Sequence, residues 1–161
     1  MAALTNALLH DASSLSRSDR EIIAAYVSAL NGCGYCRDSH VAIAACHLGD
    51  DDALVRSVLA DPETAAVSAK LKALLAIAAR VQQGGRSVRD EDIARARQEG
   101  ATDVELHDTV LIAAAFCMFN RYVDGLGVGT PTDPASARER ARLVAEYGYA
   151  VSLPQQAIFT T

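Results

Sequence analysis

The sequence predicts an all-α protein built as a bundle of helical hairpins. Half of the residues are hydrophobic, yet aromatic residues make up only 5% of the chain and Trp is absent. Alanine supplies much of the apolar content, and alanine favours helices over strands. Capping residues recur before segments with a helical hydrophobic period, and no segment alternates apolar and polar residues as a half-buried strand does. We therefore expect about seven helices.

The first half of the chain predicts four helices. Ser16 is a suitable N-cap for the first, and Asn31-Gly32 ends it. Asp61 followed by Pro62 combines a capping residue with a proline at the first helical position, which is typical of a helix start. The expected ranges are 16 to about 30, 33–49, 51–59 and 61–83.

The second half predicts three more helices, at 90–99, 102 to about 125 and 133–148. Thr102 and Glu105 form a capping-box pattern at the start of the sixth. Residues 110–119 of this helix are apolar on nearly every side, and such a helix is normally buried all round. A chain this short has little material to cover it, so we expect the sixth helix to be central or to lie in a homo-oligomer interface.

Length and charge limit the class of protein. A chain of 161 residues suits one domain, with the core at about 15–128 and a final helix and tail at 129–161. The net charge is -5 and no Lys/Arg run occurs, so neither nucleic acid nor an anionic membrane is an expected partner. The N-terminus does not resemble a signal peptide, and the expected location is the cytoplasm, where the four cysteines stay reduced.

The most informative segment contains Cys33, Cys36 and His40. At the start of a helix, residues 33 and 36 share the first turn, close enough for their sulfurs to form a disulfide. The helix N-terminus favours a thiolate, and His40 follows Cys36 by one turn on the same face. A tight antiparallel hairpin at Asn31-Gly32 would bring Glu21 back beside His40, where a carboxylate could orient the imidazole. The pattern indicates a two-cysteine redox centre.

Glu21, Cys33, Cys36 and His40, with their spacing, resemble the active-site pattern of the alkylhydroperoxidase D family within the carboxymuconolactone decarboxylase-like superfamily. Residues 119–127 also resemble a signature of its peroxidase-related subgroup. The resemblance implies an all-α fold, a homotrimer or homohexamer, and antioxidant reduction of a hydroperoxide with a separate thiol reductant. It also implies that Cys36 forms the sulfenic acid and Cys33 resolves it, with His40 and Glu21 as a proton relay. Tyr35 departs from the family, whose best-known enzymes have a histidine there.

Other readings of the same residues stay open. Cys33, Cys36 and His40 could supply three zinc ligands, although no second metal-binding pair is visible. Glu21 could instead cap its helix if Ser18 is the N-cap. A lactone decarboxylase or a non-enzymatic module whose assembly is gated by the disulfide are alternative functions. No flavin, haem or nucleotide motif appears, so we expect no organic cofactor. Cys46 and Cys117 lie in apolar helical segments and are expected to act as packing residues.

Overall fold

The computed structural model describes residues 1–129 and 133–150. Within these ranges the chain forms eight α-helices and one short 3-10 turn, Gly85–Ser87, and contains no strand. The all-α prediction is therefore confirmed. The helices are α1 (Ala2–Leu9), α2 (Arg17–Leu30), α3 (Gly34–His47), α4 (Ala53–Ala60), α5 (Ala69–Gln83), α6 (Asp90–Gln98), α7 (Asp103–Gly125) and α8 (Pro134–Tyr147).

Side-chain caps fix several of the helix starts. The Ser16 hydroxyl accepts a hydrogen bond from the Asp19 amide at 3.0 Å, so α2 begins where the sequence predicts. At α7 the predicted capping box is present. The Thr102 hydroxyl accepts from the Glu105 amide at 3.2 Å, and the Glu105 carboxylate accepts from the Thr102 amide at 2.8 Å. These caps satisfy amides that the helices themselves leave unpaired.

Two helix assignments differ from the prediction. Helix α1 was not expected, because it is short and its N-cap, Met1, has no side chain that can cap it. The helix expected from Asp61 begins only after Ser68, whose hydroxyl accepts from the Leu71 amide at 3.1 Å. The Asp61 carboxylate instead accepts from the Glu63 amide within a turn. An Asp-Pro pair starts turns as readily as helices, so the sequence pattern was ambiguous there.

Helices α2, α5 and α7 surround the core, α3 pairs with α2 as a hairpin, and α8 packs on α3. The largest side chains of the core are apolar. Its largest side chains that are at most 1% exposed are Leu9, Ile22, Ile23, Leu74, Leu75, Ile77, Ile112 and Phe116. None of the described helices has the length and apolarity to cross a membrane.

Helix α7 is buried on one side only within the single chain. Its inner face places Ile112, Phe116 and Phe119 in the core, each at most 4% exposed. The opposite face exposes a row of large apolar side chains. The members of this exposed α7 face are Val104, Val110, Leu111, Met118 and Tyr122. Burial on every side, as the sequence predicted, is therefore not achieved by the isolated chain.

Candidate active site

The turn between α2 and α3 brings the predicted site residues together. Asn31 ends α2, and Gly32 has a φ of +76°, a conformation that glycine adopts without strain. The Cys33 amide then donates to the Ser28 carbonyl at 3.0 Å, which reverses the chain. Cys33 is the N-cap of α3, so Cys36 lies in the first turn of that helix. The two helices consequently run antiparallel and in contact along the hairpin.

Glu21 and His40 form a buried pair across this hairpin. The Nδ1 atom of His40 lies 2.7 Å from Oε2 of Glu21, and the side chains are only 9% and 2% exposed. The N-cap of α2 is Ser16, not Ser18, so the capping alternative for Glu21 is not what the structure shows. Phe116 packs its ring against His40 with centroids 4.6 Å apart. The imidazole is thus held on both sides, and its second nitrogen is free of the carboxylate.

A third residue, Tyr149, joins this pair. Its hydroxyl donates to Oε1 of Glu21 at 2.6 Å and lies 3.3 Å from Nδ1 of His40. Burial and the negative charge of Glu21 raise the pKa of Tyr149 well above its ordinary value, so the phenol keeps its proton. Tyr149 follows Glu21 by 128 positions, and no local pattern in the sequence indicated that it reaches the site.

The two cysteines of the hairpin differ in their surroundings. Both are free thiols and both are buried, Cys33 at 1% and Cys36 at 5% exposure. Cys36 borders a cleft together with His40, whereas Cys33 is not among the cleft residues. Burial, a hydrogen bond with the Asp124 carboxylate and the neighbouring Cys36 thiol raise the pKa of Cys33 to about 12. Cys33 is therefore a neutral thiol at physiological pH.

The cleft beside Cys36 lies between α3, α7 and α8 and has a volume of about 980 Å³. Its inner wall is largely apolar, with Phe116 and Phe119 from α7 and Ile43 from α3. Charged side chains stand at its edges. They include Asp38, Asp50, Asp52, Arg56, Arg138, Arg140 and Arg142. A molecule with an apolar body can therefore enter this cleft and place one end at Cys36 and His40.

A polar network supports the turn from behind. The Asn31 amide donates to Oδ1 of Asn120 at 2.8 Å, and the Asn120 amide donates to the Ser28 hydroxyl at 3.0 Å. Gln82 adds a bond from its amide to Oδ1 of Asn31 at 3.0 Å. In the sequence, residues 119–127 show only a supporting resemblance to the peroxidase-related signature. In the structure Asn120, from that segment, ties α7 to the end of α2 and so fixes the cysteine turn.

The zinc alternative has no support in the arrangement of the ligands. Among the residues that the structure describes, no three His, Cys, Asp or Glu side chains converge closely enough to hold a metal ion. The site is thus organised around a carboxylate–imidazole pair and two thiols.

Known proteins place this fold and site in a family. A profile of the carboxymuconolactone decarboxylase family matches residues 1–80. A peroxidase-related protein from Silicibacter sp. TM1040 superposes with a TM-score of 0.73 at 28% identity, covering 81% of this chain and 68% of that one. An alkylhydroperoxidase AhpD core from Ralstonia eutropha JMP134, also a peroxidase-related protein, gives 0.75 at 26% identity, covering 87% and 72%. No curated protein matches the chain.

The fold and the sequence agree on the class of protein. The chain belongs to the alkylhydroperoxidase D-like and carboxymuconolactone decarboxylase-like superfamily, as its cysteine pattern predicted. The members of this superfamily are enzymes, and they include peroxidase-like and decarboxylase-like proteins. The matched segment, 1–80, contains all four predicted site residues, Glu21, Cys33, Cys36 and His40.

Proposed function

We propose that the protein is a thiol-dependent hydroperoxidase that contributes to antioxidant defence. The observation that carries the proposal is the buried Glu21–His40 pair on the wall of the cleft that Cys36 borders. A carboxylate-bound imidazole next to a thiol is the arrangement that activates a cysteine nucleophile. Two further features support it: the second thiol, Cys33, is one turn away, and both superposed structures are called peroxidase-related proteins.

In the first step, His40 takes the proton of Cys36 and the thiolate attacks the terminal oxygen of a hydroperoxide. An S–O bond forms as the O–O bond breaks, so sulfur is oxidised and the peroxide is reduced. The alcohol, or water from hydrogen peroxide, leaves with a proton from the His40 imidazolium or from the neutral Cys33 thiol. Glu21 offsets the positive charge on the ring while the imidazolium exists.

In the second step, the Cys33 sulfur attacks the sulfenic acid on Cys36. An S–S bond forms, the S–O bond breaks, and the oxygen leaves as water with the Cys33 proton. An external dithiol then reduces the disulfide and restores both thiols, so the enzyme needs a separate reductant and no organic cofactor.

Lactone decarboxylation is the second candidate, because the profile that matches residues 1–80 belongs to the carboxymuconolactone decarboxylase family. That chemistry does not need two thiols, so Cys36→Ser would leave it intact. Peroxide reduction, in contrast, would be abolished. A panel of hydroperoxides and dithiol reductants, tested on the wild type beside Cys36→Ser, separates the two. Turnover that survives in Cys36→Ser would contradict the peroxidase proposal.

Assembly through α7 is part of the same proposal. The exposed α7 face leaves five large apolar side chains in contact with solvent, which is unusual for a stable monomer. The family resemblance adds a homotrimer or homohexamer as the expected state. Light scattering on the wild type should therefore show an oligomer, and Met118→Asp, in the middle of this face, should weaken it. A monodisperse wild-type monomer would contradict this part of the proposal.

A further inference from the structure

The turn after α8 brings Tyr149 to the Glu21–His40 pair, which the α2–α3 hairpin holds together. We propose that Tyr149 is a positioning residue of the reactive centre, whose hydroxyl fixes the Glu21 carboxylate so that His40 keeps its proton on Nδ1 and presents Nε2 to Cys36. The inference deepens the proposed function, because it assigns the control of the His40 proton to a residue outside the matched motif.

Both oxygens of the Glu21 carboxylate are occupied by different partners. Oε1 accepts the Tyr149 hydroxyl at 2.6 Å, and Oε2 lies 2.7 Å from Nδ1 of His40. If the carboxylate rotated away from either partner, it would lose a short hydrogen bond. This loss would occur in a buried site, since the Glu21 side chain is only 2% exposed. The two contacts therefore set the orientation of the carboxylate plane, and through it the orientation of the imidazole.

The direction of these hydrogen bonds follows from the chemistry of the groups. An ionised carboxylate only accepts hydrogen bonds, and the Tyr149 phenol, which keeps its proton, donates. Nδ1 of His40 must then be the donor toward Oε2, so the neutral ring has its lone pair on Nε2. That tautomer is the one able to take a proton from a thiol on the cleft side, where both His40 and Cys36 are found.

The backbone at Tyr149 is itself held in place by contacts with Asn6 and His10. Gly148 has a φ of +79° and a ψ of -176°, which glycine alone adopts readily, and a Cβ there would stand 2.3 Å from Oδ1 of Asn6 and 2.9 Å from the His10 ring. The same Asn6 oxygen accepts the Tyr149 amide at 2.9 Å. Helix α1 thus contacts and fixes the turn that positions the Tyr149 phenol, although α1 contributes no residue to the proposed reaction.

A tyrosine that merely filled space would not produce this pattern. Its ring lies at 30° to the His40 ring with centroids 6.1 Å apart, so it also covers the face of the imidazole. Among the residues that the structure describes, its hydroxyl contacts the Glu21 carboxylate and the His40 imidazole and no backbone carbonyl. A change at Tyr149 should consequently reach the His40 proton through the Glu21 carboxylate that both side chains contact.

The test follows the His40 proton by 15N NMR on the full chain labelled in histidine, with His40→Asn used to assign its signals. In the wild type we expect the Nδ1-protonated tautomer. Tyr149→Phe keeps the ring but removes one donor from the carboxylate. Because the carboxylate then depends more on the imidazole proton, the titration of the His40 signals should move to higher pH in this variant. The pH profile of Cys36 oxidation by hydrogen peroxide should be displaced in the same direction.

Tyr147→Phe is the matched control, since Tyr147 is 60% exposed two positions earlier. It should leave both the titration and the oxidation rate unchanged. Gly148→Ala should displace this turn and reproduce the Tyr149→Phe titration. An unchanged His40 titration in Tyr149→Phe, even with lower thermal stability, would overturn the inference. If the titration shifts but the wild type reduces no peroxide, Tyr149 keeps its positioning role and the proposed function is the part that fails.

Discussion

Two buried glutamates occupy different regions of the molecule and have opposite surroundings. Glu21 lies in the α2–α3 hairpin and Glu105 lies at the start of α7, and they are 1% and 2% exposed. Glu105 accepts from the Lys70 ammonium at 2.8 Å and from the Thr102 amide at 2.8 Å. Glu21 is bound to His40 and Tyr149, beside the cleft that Cys36 borders.

The difference between these regions shows how the partners of a buried carboxylate decide what it can do. Burial raises the pKa of Glu105, but the hydrogen bonds from Lys70 and Thr102 outweigh it and lower that pKa overall. Its partners hold their protons permanently, so the group serves to fix α7 on α5. Glu21 instead contacts the His40 imidazole, whose two ring nitrogens can donate or accept a proton. Only the second arrangement can take part in proton transfer.

The largest expected effect is on activity, and it should separate the two glutamates. His40→Ala should slow the oxidation of Cys36 by peroxide by about 10²-fold, the usual contribution of a general base. Glu21→Gln should slow it less, by about tenfold, because only the outer member of the relay changes. Glu105→Gln should leave the rate unchanged. Stopped-flow measurement of thiol loss compares the three variants, and wild-type kinetics in His40→Ala would reduce that histidine to a packing residue.

On stability, the buried Glu105 should matter more than an exposed glutamate. Glu105→Gln leaves the Lys70 ammonium without its counter-charge and weakens the capping box of α7. We expect a loss of about 1–3 kcal/mol in the free energy of unfolding, at the low end because Lys70 is 33% exposed. Urea unfolding followed by circular dichroism measures it, with Glu63→Gln as the control, since Glu63 makes an exposed ion pair with Arg95. Equal losses of unfolding free energy in Glu105→Gln and Glu63→Gln would contradict the expectation that the buried ion pair stabilises the fold more than the exposed one.

The smallest expected effect is the acid dependence of stability. The folded pKa of Glu105 is below its unfolded value of 4.5, so its contribution is present above pH 4.5 and is lost as the pH falls below that value. In Glu105→Gln this part of the acid destabilisation should be absent, and the curve of unfolding free energy against pH should be flatter below pH 4.5. Parallel curves for the wild type and the variant would show that Glu105 does not titrate as the structure indicates.

Much of the geometry of the candidate site was predictable because it is local. The Asn31-Gly32 turn joins two helices of known period, so the sequence alone placed Glu21 opposite His40 and both cysteines at the start of α3. The capping box at Thr102 was predictable for the same reason. In each case the residues that decide the geometry are close together in the chain.

The remaining features depend on contacts between distant segments. Tyr149 reaches Glu21 only because Gly148 adopts a positive φ against Asn6, and no sequence period encodes where that turn lands. Asn120 lies on α7, whereas its partners Asn31 and Ser28 lie at the end of α2, and no spacing within α7 indicates these contacts. The exposed α7 face similarly reflects how eight helices are arranged rather than the composition of one of them.

The position of the sulfenic acid tests the central claim, that Cys36 is the thiol attacked by peroxide, most directly. Cys33→Ser should react once with one equivalent of hydrogen peroxide and retain a sulfenic acid on Cys36, which a dimedone-type probe labels and peptide mass spectrometry locates. Cys36→Ser should give no labelled cysteine, and Cys46→Ser should behave as the wild type. A dimedone adduct on Cys33 in the Cys36→Ser protein would reverse the two roles and contradict the claim.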